Sequence, residues 1–345
     1  MATPSLYGIE HSSRDFSERG AWGKNVFNSS FPVALCNYFL DREIKANYLD
    51  VSRNGFAISE ISIREVYGGN SYSELFFDFE TDFTPHSNVL QNSEKLSIDL
   101  VIKKHPSLKP VLPLEVKLTT LPDNSTADLP DDKQSTELVI RTPTIGSLAC
   151  SIAINSASEV KEIFSNHRIN DFSEKNLKQN RKVIKTTLQK ILSKCHKNSK
   201  PLLLQPVWKT IGKSTILADN CLDVFIWSDM GLLHFILEQM KTERESKVTR
   251  QTRTAIWIFK MLHDFAIDGS LSLKETIDSL TFQTKNDKAF SSTDTHRFMK
   301  CENLTKPRVM KSEIRNIILG GGEKMLSPER RFDGILQANS SELFK

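Results

Sequence analysis

Ser97-Ile98-Asp99-Leu100-Val101-Ile102 and Val111-Leu112-Pro113-Leu114-Glu115-Val116-Lys117-Leu118 are the runs that decide how this chain is read. Both are short, rich in Val, Ile and Leu, and bounded by turn residues, which predicts β-strands. The polar link Lys103-Lys104-His105-Pro106-Ser107-Leu108-Lys109-Pro110 suits a hairpin connection. Side chains on a strand alternate between faces. Leu112, Leu114, Val116 and Leu118 therefore share one face of the second run, and Pro113, Glu115 and Lys117 share the other. In the first run Asp99 interrupts an apolar series. If the two strands pair, Asp99 can lie beside Glu115.

Two carboxylates at one spot repel each other unless positive charge sits between them. A few hard oxygen ligands, with room for water and phosphate, favour Mg²⁺. Lys117 lies two residues past Glu115 on the same face, where it can orient or help deprotonate a water, or neutralise charge on a phosphate. An acid followed by Glu-x-Lys on the next strand is an arrangement suited to metal-dependent phosphodiester hydrolysis. The competing reading is an exposed, solvated Glu/Lys pair, which contributes little. The interruption of an aliphatic strand by an acid favours the catalytic reading.

The chain has 345 residues, with 39% hydrophobic and 26% charged. That is an ordinary globular composition, large enough for a core with an added lobe. No run reaches the length of a bilayer span, and Met1-Ala2-Thr3-Pro4-Ser5 lacks the basic start and apolar core of a signal peptide. A cytoplasmic protein without membrane association is expected. The five cysteines (Cys36, Cys150, Cys195, Cys221 and Cys301) are odd in number and far apart, which argues against a disulfide framework or a structural zinc site. A net charge of +4 permits nucleic-acid binding without requiring it.

Along the chain, Phe31 to Leu40 reads as a helix entered through Asn28-Ser29-Ser30. Phe56–Ile63, Leu75–Phe83 and Thr136–Arg141 read as strands. In the second of these, Asp78, Glu80 and Asp82 share a face. Glu80 is the candidate for a third metal carboxylate; the competing reading is a solvent-facing acidic row on an edge strand. From Pro143 a helix should run past Ile163-Phe164. Strand and helix order around a hairpin indicates an α/β core. Within 174–200, Leu177, Ile184, Leu188, Ile191 and Cys195 recur at helical spacing against a basic face that includes Lys178, Lys182 and Lys185. That face could follow a phosphate backbone or simply be solvated. Strands are also expected in Pro201–Trp208 and Asp223–Trp227. Gly212-Lys213-Ser214-Thr215 imitates the end of a P-loop, but position 207 is Val where the motif needs Gly, so Lys213 is a candidate DNA-phosphate contact instead. From Met230 to about Phe265 the pattern is helical, and Lys247, Arg250 and Arg253 form a second basic patch. Asp268-Gly269 makes a turn. The expected division is 1–229 as a catalytic core and 230–345 as a helical region for recognition or dimerisation.

With these residues laid out, the chain resembles type II restriction endonucleases. Asp99 with Glu115-Val116-Lys117 matches the PD-(D/E)xK nuclease motif, with Ile98 in place of its Pro. Ser5-Leu6-Tyr7-Gly8, Arg14-Asp15-Phe16, Ala21-Trp22-Gly23-Lys24-Asn25 and Asn28-Ser29-Ser30-Phe31-Pro32 carry a more specific similarity to the HindVP/HgiDI family. The resemblance implies an α/β, restriction-endonuclease-like core: a mixed central sheet flanked by helices, with a mainly helical C-terminal extension. It implies Mg²⁺-dependent cleavage of duplex DNA within GRCGYC, leaving 5′-phosphate ends. Asp99 and Glu115 would hold the metal, with Glu80 as a further candidate, and Lys117 would position water. It also implies a homodimer matching a palindromic site and a cognate DNA methyltransferase protecting the host. Arg141 is a candidate DNA contact on proximity in sequence, beside Lys178, Lys182, Lys185, Lys213, Arg250 and Arg253. Two other classes remain open at this level. One is a repair or recombination nuclease on the same core; the other is a non-catalytic DNA-binding protein using the basic patches alone.

Overall fold

The computed structural model describes residues 39–52, 55–69, 74–104, 106–114, 138–165, 169, 171–196, 203–204, 206–210, 217–224, 229–240, 248–280 and 288–292. In chain order the elements begin with β1 (Ala46–Ser52), β2 (Gly55–Ile61), α1 (Ile63–Val66), β3 (Leu75–Asp82) and α2 (Thr84–Ser87). There follow β4 (Ser97–Lys104), β5 (Lys109–Leu114), β6 (Leu138–Arg141), α3 (Thr142–Asn155), α4 (Ala157–Ser165), α5 (Glu174–Gln179) and α6 (Arg181–Cys195). The last group is β7 (Leu203–Leu204), β8 (Pro206–Thr210), β9 (Leu217–Val224), α7 (Asp229–Gln239), α8 (Arg250–Asp268), α9 (Leu273–Ser279) and β10 (Lys288–Ser292).

The class is mixed α/β, as the sequence implies. In place of one mixed central sheet, however, the described strands form four small sheets whose ladders are all antiparallel: β2-β1-β7, β3-β4-β5, β10-β6 and β8-β9. The connections explain much of this. Parallel neighbours need a crossover of about a dozen residues or more, whereas β1–β2, β4–β5 and β8–β9 are joined by short links that allow only hairpins.

Helices start and stop where side chains can satisfy their free backbone groups. Ser62-Ile63-Arg64-Glu65 forms a capping box on α1: Ser62 Oγ accepts from the Arg64 amide at 3.2 Å, and the Ser62 amide donates to Glu65 Oε2 at 3.1 Å. Thr249 caps α8, its Oγ1 accepting from the Thr252 amide at 3.2 Å. Gly269, at φ 74°, ends α8 in the left-handed conformation that suits glycine. The helix expected to run past Phe164 is instead two. Ser156 leaves helical geometry (φ −142°, ψ 39°) between α3 and α4. The pattern from 230 to 265 likewise resolves into α7 and α8.

One hydrophobic core runs from Phe39 to Leu280 and includes residues of α3 through α9. On α5 and α6, Leu177, Ile184, Leu188, Ile191 and Cys195 are all fully buried, so the apolar stripe read from their spacing is the packing face. Each such aliphatic side chain contributes about 1.5–3 kcal/mol through removal from water. Helix α8 is the axis of the helical layer. It packs against α3, α4, α6, α7 and α9, and it is buried on nearly every side from Thr252 to Phe265.

Candidate active site and nucleic-acid interface

The β3-β4-β5 sheet holds the first candidate, Asp99, on its central strand. The hairpin expected from sequence is present: Leu100↔Leu114, Val101↔Pro113 and Ile102↔Leu112 pair antiparallel. Strand β5 ends at Leu114, and Glu115 and Lys117 lie outside the described residues. On the other side of β4, the pairs Phe79↔Leu100 and Thr81↔Ile98 bracket Glu80 and Asp99. The backbone register thus brings the positions of these two acids side by side. β3 is an edge strand of its described sheet, and at its end Asp82 meets Lys95 at 3.4 Å. Around them the strand is packed from within: Ile98, Val101 and Ile102 are fully buried, and Ile98 and Val101 cluster with Phe83.

The link between β3 and β4 ties this sheet to the helical layer. Leu90 and Leu271 form a parallel bridge, with the Gln91 amide donating to the Leu271 carbonyl at 2.9 Å and the Leu271 amide donating to the Val89 carbonyl at 2.8 Å. Gln91 Nε2 donates to Ser270 Oγ at 3.0 Å, and Asn92 Nδ2 donates to Glu275 Oε1 at 2.9 Å. The Glu94 carboxylate sits over the start of α9. It accepts from Ser272 Oγ, from the Leu273 amide at 2.9 Å and from the Lys274 amide at 3.3 Å. A negative charge there also complements the helix dipole. Gly146 of α3 permits the close approach. A Cβ at that position would lie 2.9 Å from Leu273 Cδ2 and 3.0 Å from Leu96 Cδ1.

The basic candidates separate by environment. Arg141 is exposed where β6 passes into α3, opposite Lys288 of β10. Lys182 is exposed on α6, and Arg250 is exposed in the first turn of α8. Lys178 is ion-paired with Glu174 one turn earlier. Lys185 Nζ donates to the Met240 carbonyl at 3.1 Å, which ties α6 to the end of α7. Arg253 is buried, 1% exposed, with its guanidinium 4.5 Å from the Trp257 ring centroid. Burial, then the neighbouring Arg250 charge, lowers its pKa from the ordinary value. Lys213 and Lys247 lie outside the described residues.

Among the described residues no three His, Cys, Asp or Glu side chains come together as a metal-binding group. The pairs Phe79↔Leu100 and Thr81↔Ile98 set the backbone positions of two acids, Glu80 and Asp99, on neighbouring strands, and carboxylate oxygens are the donor type that Mg²⁺ takes.

The HindVP restriction endonuclease family profile matches residues 22–344. The chain belongs to this family. It is 45% identical over 350 residues to the probable type II restriction enzyme HindVP of Haemophilus influenzae, covering 99% of this chain and 95% of that protein. It is 36% identical over 350 residues to the type II restriction enzyme HgiDI of Herpetosiphon aurantiacus, covering 96% of this chain and 95% of that protein. No solved structure matches. Membership confirms the resemblance drawn from the N-terminal motifs and the Asp99–Lys117 segment, and it selects the restriction endonuclease among the three classes considered. Among the described residues no helix is long and apolar enough to cross a membrane.

Proposed function

We propose that the chain is a Mg²⁺-dependent type II endonuclease that hydrolyses duplex DNA at a short palindromic site, GRCGYC, leaving 5′-phosphate and 3′-hydroxyl ends. The observation that carries this reading is the register of β3, β4 and β5. Its pairs Phe79↔Leu100 and Thr81↔Ile98 bracket Glu80 and Asp99, which supports setting these acids together in the reading. In this reading the sheet belongs to a restriction-endonuclease-like core. Asp99 and Glu115 hold the metal, and Glu80 is the candidate third carboxylate. Bound there, Mg²⁺ would supply positive charge beside the scissile phosphate and lower the pKa of water. Lys117 orients the water for in-line attack and offsets charge on the phosphate.

A two-fold homodimer matches a palindromic site and supplies one active site for each strand. In this reading Arg141, Lys182 and Arg250 contact phosphates, which their exposure allows. Such an enzyme works in the cytoplasm beside a DNA methyltransferase that protects host sites. The test is digestion of a DNA of known sequence. Mg²⁺ should give discrete fragments whose ends map within GRCGYC, and EDTA should give none. Glu115→Ala should slow cutting by at least about a thousand-fold, equivalent to ~4 kcal/mol of barrier, while duplex binding persists. Cutting by that variant at the parental rate would remove Glu115 from the site.

A further inference from the structure

The hairpin that leads out of the candidate site ends in an arrangement that is unfavourable in an isolated protein. Lys104 and Lys109 are direct cross-strand partners, and both are exposed. Like charges placed opposite each other on neighbouring strands destabilise the ladder. Between them Leu108 is 51% exposed and holds φ at 53°, the left-handed region that a bulky side chain rarely occupies. Ser107 bridges the two strands at the turn. Ser107 Oγ donates to the Lys104 carbonyl at 3.2 Å and accepts from the Lys109 amide at 3.4 Å. Two lysines held face to face, and an apolar side chain held outwards between them, suit a polyanion that also offers apolar edges. Strained, exposed residues of this sort concentrate where a ligand is engaged.

We propose that the tip of the β4–β5 hairpin is a DNA-contacting element, with Lys104 and Lys109 on backbone phosphates and Leu108 packed against sugar and base edges in the groove. This deepens the endonuclease reading and rests on it. Lys104 is five residues along β4 from Asp99, so alternation sets the two on opposite faces and Lys104 serves the duplex from the hairpin's end rather than from the face of Asp99. At about 3.3–3.4 Å per residue the separation is roughly 17 Å. That distance is about half of one duplex turn. The tip can therefore hold the duplex half a turn from the bond being cut, and a rigid strand carries its position back to Asp99. Apolar side chains that enter a groove in this way also bias the choice of site through the deformability of the base steps they meet.

The test measures anisotropy of a fluorescein-labelled duplex across a KCl series in EDTA, for the parent, Lys104→Ala/Lys109→Ala and Leu108→Gly. Loss of two phosphate contacts should lower the slope of log K against log salt by about 1.8, which corresponds to roughly 60-fold weaker binding at 0.1 M salt. Lys104→Arg/Lys109→Arg should restore the slope. Leu108→Gly fits the left-handed turn, so its Tm should match or exceed the parent's, while affinity falls several-fold at an unchanged slope. A double alanine variant with the parent's slope and affinity overturns the inference while leaving the endonuclease reading in place. Parental affinity in Leu108→Gly removes the apolar contact. A parent that neither binds nor cuts duplex DNA overturns the endonuclease reading and this inference with it.

Discussion

Replacing Glu94 tests whether the β3-β4-β5 sheet and the helical layer are one mechanical unit. Its carboxylate accepts from Ser272 Oγ and from the Leu273 and Lys274 amides across 178 to 180 residues of chain. Ser272 and Leu273 are buried, whereas Lys274 is exposed and its bond is the longest, so water replaces that contact readily. Two effective charge-assisted bonds, at the lower end of about 1.5–3 kcal/mol each, give a loss near 3 kcal/mol for Glu94→Ala. Glu94→Gln keeps an acceptor but not the charge and should lose about half as much. Urea denaturation gives the free energies directly, and a fall in Tm of roughly 4 °C should accompany the alanine change. Because Ser272 Oγ is itself a partner, Ser272→Ala and Glu94→Ala should be non-additive, with a coupling of about 1 kcal/mol. A cost below about 0.5 kcal/mol for Glu94→Ala, or strict additivity in the cycle, would refute this account of the clasp.

The pH and arginine predictions rest on other buried groups. His86 is 1% exposed, packs edge-on to Phe83 at 4.9 Å, and burial lowers its pKa from 6.5 to about 4. The unfolded chain therefore takes up a proton at this site before the folded one, and stability should fall by about 3 kcal/mol as pH drops from 6.5 to 4, levelling off below. His86→Leu should flatten that part of the stability profile, and an unchanged slope in urea titrations would count against it. Arg253→Ala should cost about 2–4 kcal/mol in the same titrations, through lost packing on Trp257 in a buried site, whereas Arg250→Ala should stay within ~0.5 kcal/mol. Equal effects at the two positions would mean that Arg253 is not held inside.

Much of the fold is legible because its signals are local. Alternation and bounding turns mark 97–114 as a hairpin, and a repeat of apolar residues from Leu177 to Cys195 marks the packing face of α5 and α6. The candidate site stands out in the sequence for the same reason: an acid inside an aliphatic strand is conspicuous. The Glu94 cap leaves no such trace, since its partners lie 178 or more residues away and each segment reads as an ordinary loop. Arg253 misleads for a different reason. A helix buried along most of its length gives little contrast against which an inward-pointing arginine stands out, so its charge suggests solvent when its guanidinium in fact lies over Trp257. The separation of the sheets is likewise a long-range outcome, decided by which hairpins find partners across the chain.

These two failures of local reading bear on how the enzyme is built. The endonuclease reading draws its chemical residues from Glu80 and from the short sequence span 99–117, where the sequence advertises them. The residues that fix that hairpin in space come from the far end of the described chain, through Leu271, Ser272 and Glu275. Phosphodiester hydrolysis depends on placing a water and a phosphate within a fraction of an ångström of in-line geometry. A three-stranded sheet, with β3 and β5 both at its edges, has little rigidity alone, and the clasp at 90–94 supplies a second attachment five residues before Asp99. The helical layer thus limits how far β4 can move, through contacts made at Leu90, Gln91, Asn92 and Glu94. The same β4 backbone continues outward to Lys104, so a displacement imposed on the tip by DNA would be resisted at Glu94 and delivered to the strand between them.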